Sequence, residues 1–323
     1  MKMTMRELAK LANVSVSAVS KAFNGADDIN AETRERIFGI AKQTGCYYKF
    51  YKGKYPKKII AIICQEIIGN FYVEFVDRLR KQIEASNNIA LVVTDDFSAS
   101  KQEELIDYFS SYLKVDGIIV FGLRSELKKN HNTPIISLFS SIDDKVDSIN
   151  IDFNAAINDA VSLLWDYGHR NIAFLSESLT KAKAQTFASA MCELGVTDAT
   201  VIESEKRFEV AGKDCAEKLI LSNPDCTAVI CAYDNIALGA IKQFKTAGLS
   251  VPEDISVIGI DNITTGKYAQ TSLTTIGVDT ESICALACDI LQKKLKNPYY
   301  KTHEKTNIKG ELIIRESVKK ISM

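Results

Sequence analysis

From Lys58 onward short apolar runs alternate with longer amphipathic stretches, and this alternation leaves few folds open. Ile59–Cys64, Ile89–Thr94, Gly117–Phe121 and Ile135–Phe139 are continuously apolar, as expected of strands covered on both faces. Helical stretches near Phe71–Ser86 and Lys101–Leu113 separate the first three. A second series follows, with runs at Ile172–Leu175, Ala228–Tyr233 and Ile255–Ile260. Its helices are expected near Phe153–Tyr167, Lys183–Leu194, Val210–Leu221 and Asn235–Ala247. Strands joined through helices pair in parallel, so two Rossmann-like α/β units in succession are expected.

A chain of 323 residues exceeds one ordinary core. Its 46% apolar and 25% charged residues are typical of a soluble globular protein. No run of eighteen uncharged apolar residues occurs, so no membrane partner is expected. The opening MKMTMRELAKLANVS lacks the apolar segment of a signal peptide, which points to the cytoplasm. Cys46, Cys64, Cys192, Cys215, Cys226, Cys231, Cys284 and Cys288 form no C-x-x-C pair. Free thiols, no metal and no cofactor are expected. The sequence also lacks a Walker loop, G-x-S-x-G and H-E-x-x-H, so its motifs do not indicate an enzyme.

The net charge of −1 conceals an asymmetry. Residues 1–58 carry 12 Lys/Arg against 5 Asp/Glu, a balance of +7, while the remainder carries 28 against 36, a balance of −8. A basic head on an acidic body suggests that the head meets a polyanion. Within that head, Met5, Leu8, Ala9, Leu11 and Ala12 recur at helical spacing behind an N-cap at Thr4, with Glu7 completing a capping box. Asn13 suits a tight turn, Ser15 caps a second helix from Val16 to about Asn24, and Asn30 caps a third from Ala31 to Thr44. Two short helices joined by a turn and closed by a third form a small all-α helix-turn-helix domain.

On these residues the chain resembles the LacI/GalR family of transcriptional regulators. The match runs through Thr4–Ala9, Ala12–Ser15, Ala18–Asn24 and Ile29–Ile37. The resemblance implies that the second helix lies in the major groove of an operator, with Val16, Ser17 and Lys21 at base-reading positions. Lys21 can donate to guanine or to a phosphate, and both roles stay open. Thr4, Ser15, Asn24 and Thr33 fit contacts to the DNA backbone, although Ser15 and Thr33 would serve equally as helix-terminus residues.

Domains are expected at 1–45 (the helix-turn-helix), 46–58 (a basic aromatic linker) and 59–323 (a body for effector binding and dimerisation). The linker departs from the family, because the usual Pro-Asn pair and the leucine that wedges the minor groove are missing. Lys49 and Lys52, interleaved with aromatics, could track phosphates, or the segment could be a flexible tether. Within the body the N-subdomain is expected at 59–150 plus 280–303, and the C-subdomain at 151–279 plus 304–323.

The body resembles the same family and the related periplasmic binding protein-like type I fold. The matches include Val115–Ile119, Gly168–Phe174, Tyr233–Ala240, Val251–Asp261, Leu273–Ile276 and Arg315–Ser317. Ligands of open α/β units sit beyond the carboxyl ends of the strands. Phe71, Tyr72, Asp95, Asp234 and Asp261 fall there and are effector candidates, although Asp234 could instead cap its helix and Phe71 or Tyr72 could pack at the dimer face. Lys183 stands where many relatives carry an arginine and joins them. His169, in Gly168-His169-Arg170, reads as structural.

The expected function is a homodimeric regulator, a repressor, that binds double-stranded operator DNA under control of a sugar-like effector. Its two heads would meet half-sites about 34 Å apart. A sugar-binding protein or an enzyme of related fold is the alternative.

Overall fold

The computed structural model describes residues 3–26, 28–50, 57–128, 131–297 and 302–321, with only the backbone given for Tyr48 and Lys49. The chain divides into two compact units, Met1–Lys58 and Ile59–Met323.

The head has helices α1 (Met5–Leu11), α2 (Val16–Phe23), α3 (Ala31–Gln43) and α4 (Tyr47–Phe50). Each of the first three begins at an expected cap. Thr4 and Glu7 form a reciprocal capping box, the Ser15 hydroxyl accepts from the Ala18 amide at 3.0 Å, and Asn30 accepts from the Thr33 amide at 2.7 Å. Asn13, at φ 51°, makes the turn between α1 and α2. Leu8, Ala9, Val19, Ala22, Phe23, Ile37 and Ala41 form the core. Phe23 lies at its centre, with Phe38, Tyr47 and Phe50 rings 5.1, 5.9 and 5.8 Å away. This corrects the expected start of the linker. Residues 46–50 belong to the head, because the apolar surfaces of Cys46 and Phe50 are buried against Phe23 rather than left on a tether.

The first half of the body contains β1 (Ile59–Cys64), α5 (Asn70–Ala85), β2 (Ile89–Thr94), α6 (Ala99–Asp107), β3 (Gly117–Leu123), β4 (Ile135–Ser141) and β5 (Asp147–Asp152). A π-helical segment, Tyr108–Leu113, continues α6. The second half contains α7 (Asn154–Asp166), β6 (Ile172–Glu177), α8 (Lys181–Glu193), β7 (Thr200–Ser204), α9 (Phe208–Ser222), β8 (Ala228–Cys231), α10 (Asp234–Thr246), β9 (Ser256–Ile260), α11 (Thr264–Lys267) and β10 (Thr274–Gly277). The chain then returns through α12 (Thr280–Lys296), β11 (Lys305–Lys309) and β12 (Glu311–Ile313).

Two six-stranded sheets result, in orders β11-β5-β4-β3-β1-β2 and β12-β10-β9-β8-β6-β7. All pairings are parallel except β12 on β10. The central strands are buried along nearly their whole length, which explains their unbroken apolar runs. α9 and α10 meet at backbone contact through Gly212 and Gly239, where a Cβ would come within 2.0 Å of a carbonyl oxygen on the facing helix. The chain crosses between the halves after β5, after β10 and at Gly310. The last crossing corrects the expected boundary at 304. Lys305–Lys309 pairs with β5 in the first sheet, and Ile308 packs on that sheet's core.

Candidate functional site

The carboxyl ends of both sheets face a cleft of about 460 Å³. On the first side, Gln65 and Glu66 follow β1, Phe71 and Tyr72 open α5, Phe97 follows β2, Arg124 follows β3, and Phe139 lies in β4. On the second side stand Phe153 before α7, Glu177 at the end of β6, Lys183 in α8, Arg207 and Phe208 after β7, Tyr233 after β8, and Asp261 after β9. The site thus follows from topology, since each strand delivers one or two side chains where its hydrogen-bonded ladder stops.

Its charges come in pairs. The Arg207 guanidinium reaches across the cleft to both oxygens of Glu66, at 2.6 and 2.9 Å, and lies 5.2 Å from the Phe97 ring and 4.6 Å from that of Phe208. Arg124 is paired with Asp95 at 2.5 Å. Lys183 donates to the Ala232 carbonyl at 2.8 Å, stands 3.9 Å from Asp261, and lies 5.0 Å from the Phe153 ring. Phe97, Phe139, Phe208 and Asp261 all have positive φ, at 61°, 75°, 57° and 110°. Such backbone costs about 1–3 kcal/mol per residue and tends to cluster at functional sites. The Asp261 strain is held by a 2.7 Å bond from its amide to the Ile276 carbonyl and by Arg315, which donates to neighbouring Asn262 at 2.6 Å.

Burial pushes the Asp261 carboxyl up to about 6, and the Lys183 ammonium only partly offsets it. Behind it, Asp234 is pushed up to about 8 by burial and then by the charge of Asp261. Burial, with the charges of Asp261 and Glu66, also raises the Tyr72 phenol.

Of the expected effector residues, Phe71, Tyr72, Lys183 and Asp261 line the cleft together. Asp95 and Asp234 do not, and this is a correction. Asp95 is fully buried, accepts from Gln102 at 2.8 Å and from the Phe97 amide at 3.0 Å, and holds Arg124 from behind. Asp234 is fully buried too, accepting from the Ile263 amide at 2.8 Å and the Thr275 hydroxyl at 2.6 Å. Gly259 makes room for it, since a Cβ there would lie 2.0 Å from an Asp234 oxygen. A carboxyl at the end of a strand can serve the wall as well as the ligand, and sequence position does not separate these roles. Glu66, Arg124 and Arg207 escaped the sequence reading. Their only signal was a charged residue within three positions of a strand's end. His169 bonds Thr227, Ser256 and the Lys319 carbonyl in a buried site outside the cleft, as a structural residue would.

In the head, Val19, Ala22 and Phe23 turn inward while Val16 (42% exposed), Ser17 and Lys21 form the outer face of α2. Lys21 is ion-paired with Asp28, which holds the Asp28 carboxyl below its ordinary range. Thr4, Ser15 and Asn24 are exposed and Thr33 is half-buried. The Thr4 and Ser15 oxygens already serve as caps, and the Asn24 amide donates to the Ser20 hydroxyl at 3.3 Å. Lys52 and the Lys49 side chain lie outside the described residues.

Among the described residues no helix is long and apolar enough to cross a membrane, and no cluster of His, Cys, Asp or Glu could hold a metal ion. Residues 4–47 match the family described as bacterial regulatory proteins, lacI family, and residues 161–318 match the periplasmic binding protein-like domain. The chain is 28% identical to the HTH-type transcriptional repressor CytR of Escherichia coli (strain K12), over 98% of this chain and 96% of that protein. Among solved structures, that of the lac repressor dimer bound to operator and the anti-inducer ONPF superposes with a TM-score of 0.72 at 19% identity, covering 98% of this chain and 99% of the other. A complex of the transcriptional regulator CelR with cellobiose gives 0.68 at 21% identity, covering 98% and 100%. The chain thus carries a helix-turn-helix domain of the lacI family type followed by a periplasmic binding protein-like domain, and it is similar nearly end to end to a DNA-binding transcriptional repressor.

Proposed function

We propose that the chain is a cytoplasmic, homodimeric repressor whose α2 helices read two operator half-sites, and whose grip on DNA changes when a sugar-like molecule enters the body cleft. The observation that carries the effector reading is the pairing of ring faces with hydrogen-bonding groups in one cavity. Phe71, Tyr72, Phe153 and Phe208 can cover the apolar faces of a pyranose or furanose, while Asp261 and Lys183 accept from and donate to its hydroxyls. The cellobiose complex of CelR is in keeping with this class. For the DNA reading, Val16 suits a thymine methyl, Ser17 is permissive, and Lys21 can donate to guanine or phosphate. Thr4, Ser15, Asn24 and Thr33 fit contacts to the DNA backbone.

Control requires that the effector bind the two states of the dimer with different affinity. The test is a gel-shift titration against genomic fragments. Specific retention with a log-log salt slope of about −0.9 per phosphate neutralised is expected, and release of the fragment by one neutral sugar. Retention that ignores fragment sequence would count against the regulator. Retention indifferent to every small molecule would count against the effector.

A further inference from the structure

The cleft's cations are already matched by carboxylates, and this bears on the kind of molecule it admits. An arginine fork facing a cavity is an effective receptor for phosphate or carboxylate, because two parallel N–H donors meet two oxygens. Here the Arg207 fork is filled by Glu66, through both oxygens. Arg124 is held by Asp95, and Lys183 is shared between the Ala232 carbonyl and Asp261. Glu177 adds a further carboxylate to the wall, accepting from the Leu179 amide.

Among the described residues of the cleft, the buried polar atoms without a hydrogen-bond partner are donors of these two charge-balanced arginines (Nε of Arg207, and Nε and the ion-paired Nη2 of Arg124) and one acceptor. Gln65 lines the cavity yet is only 6% exposed. Its amide nitrogen donates to the Phe121 carbonyl at 2.7 Å, which fixes the orientation of the group. The other end, Oε1, is buried with no hydrogen-bond partner among the described residues. A buried acceptor of this sort needs an O–H or N–H and repels an anionic oxygen.

We propose that this cleft selects an uncharged polyhydroxyl effector over its phosphorylated or carboxylated counterpart, with Gln65 accepting from one hydroxyl and Glu66 acting as the specificity residue that denies Arg207 to anions. The proposal rests on the effector reading above and narrows it to one charge class.

Calorimetric and thermal-shift titrations of the full-length protein with matched pairs test it: ribose with ribose 5-phosphate, glucose with glucuronate, and cellobiose with cellobionate. One neutral member is expected to bind, and its anionic counterpart at least about tenfold more weakly, since about 1.4 kcal/mol corresponds to that factor. Glu66→Gln removes the negative charge and one of the two acceptors that face Arg207, and should raise the affinity for the anion relative to the neutral sugar by about tenfold or more. Gln65→Met removes the acceptor at similar volume and should weaken the neutral sugar by about tenfold, while loss of the bond to the Phe121 carbonyl lowers the ligand-free melting midpoint. A purely structural Gln65 would move the midpoint and leave the affinity alone. The proposal is overturned if a wild-type anion binds as well as its neutral partner, or if folded Glu66→Gln keeps the wild-type ratio. Should Glu66→Gln fail to fold, unchanged neutral-sugar affinity in Gln65→Met overturns it. If no compound in either set binds, the effector reading falls, and this proposal falls with it.

Discussion

At the scale of single residues, the fold sets the chemistry of Asp261 more than its type does. The side chain sits on strained backbone, mostly buried, near one ammonium, and its carboxyl is pushed up to about 6. A carboxylate can accept from two effector hydroxyls, whereas the protonated form must spend one oxygen as a donor. Effector affinity should therefore fall as pH drops below about 6, approaching about tenfold per unit, and Asp261→Asn should flatten that profile while operator binding persists. Calorimetric titrations between pH 5 and 8 would check this, and a flat wild-type profile would remove Asp261 from the site. Asp234 follows a related rule for stability. Its pKa is raised from 3.8 to about 8, so between these values the folded chain holds a proton that the unfolded chain has released. Its contribution is greatest below about pH 4 and declines as pH rises toward 8. Asp234→Asn cannot ionise, so its melting midpoint relative to wild type should improve steadily from pH 5 to pH 8. A constant difference across that range would contradict the buried, protonated carboxyl.

At the scale of elements, the most visible features in the sequence were those with one dominant cause. β1 and β2 begin and end where their apolar runs do, and α1, α2 and α3 start at their expected caps. β5 (DSINID), β7 (TVIES) and β11 (KTNIK) were not recognisable, since β7 and β11 lie at sheet edges and β5 mixes polar residues with apolar ones. In the cleft, Phe71, Tyr72, Lys183 and Asp261 could be anticipated from strand ends and family positions. The Glu66–Arg207 pair could not, because it joins residues 141 positions apart that each look like solvated loop charges. For the head, the legible cap also gives a prediction. Ser15→Ala leaves the Ala18 amide without its side-chain acceptor at the start of the reading helix and should cost about 1 kcal/mol of head stability. Lys21→Ala leaves the caps untouched and should reduce operator discrimination by about 1–3 kcal/mol if a base is read. If the lysine touches only phosphate, the loss should be uniform across sequences, with the salt slope reduced by about one. Competition gel shifts at two salt concentrations distinguish the outcomes, and no change in either would exclude Lys21 from the interface.

At the scale of the whole molecule, the head and the body have separate cores. Leu8, Phe23 and Ile37 close the first, and the apolar clusters of the body pack against its two sheets. Independent cores should melt independently, and a ligand stabilises only the unit that binds it. At a hundred times its dissociation constant, an effector should add about 2.7 kcal/mol to the body. For a unit of this size that is a rise of about 5 °C in the body's transition, with the head's transition left in place. This outcome would locate control in how the body arranges two already folded heads. Calorimetry of the full-length protein with and without the effector found by titration provides the measurement. A head transition that moves with the body would mean that the effector acts on the folding of the DNA-reading helices themselves. The separation of cores, on which the division of labour between reading and sensing depends, would then not hold in solution.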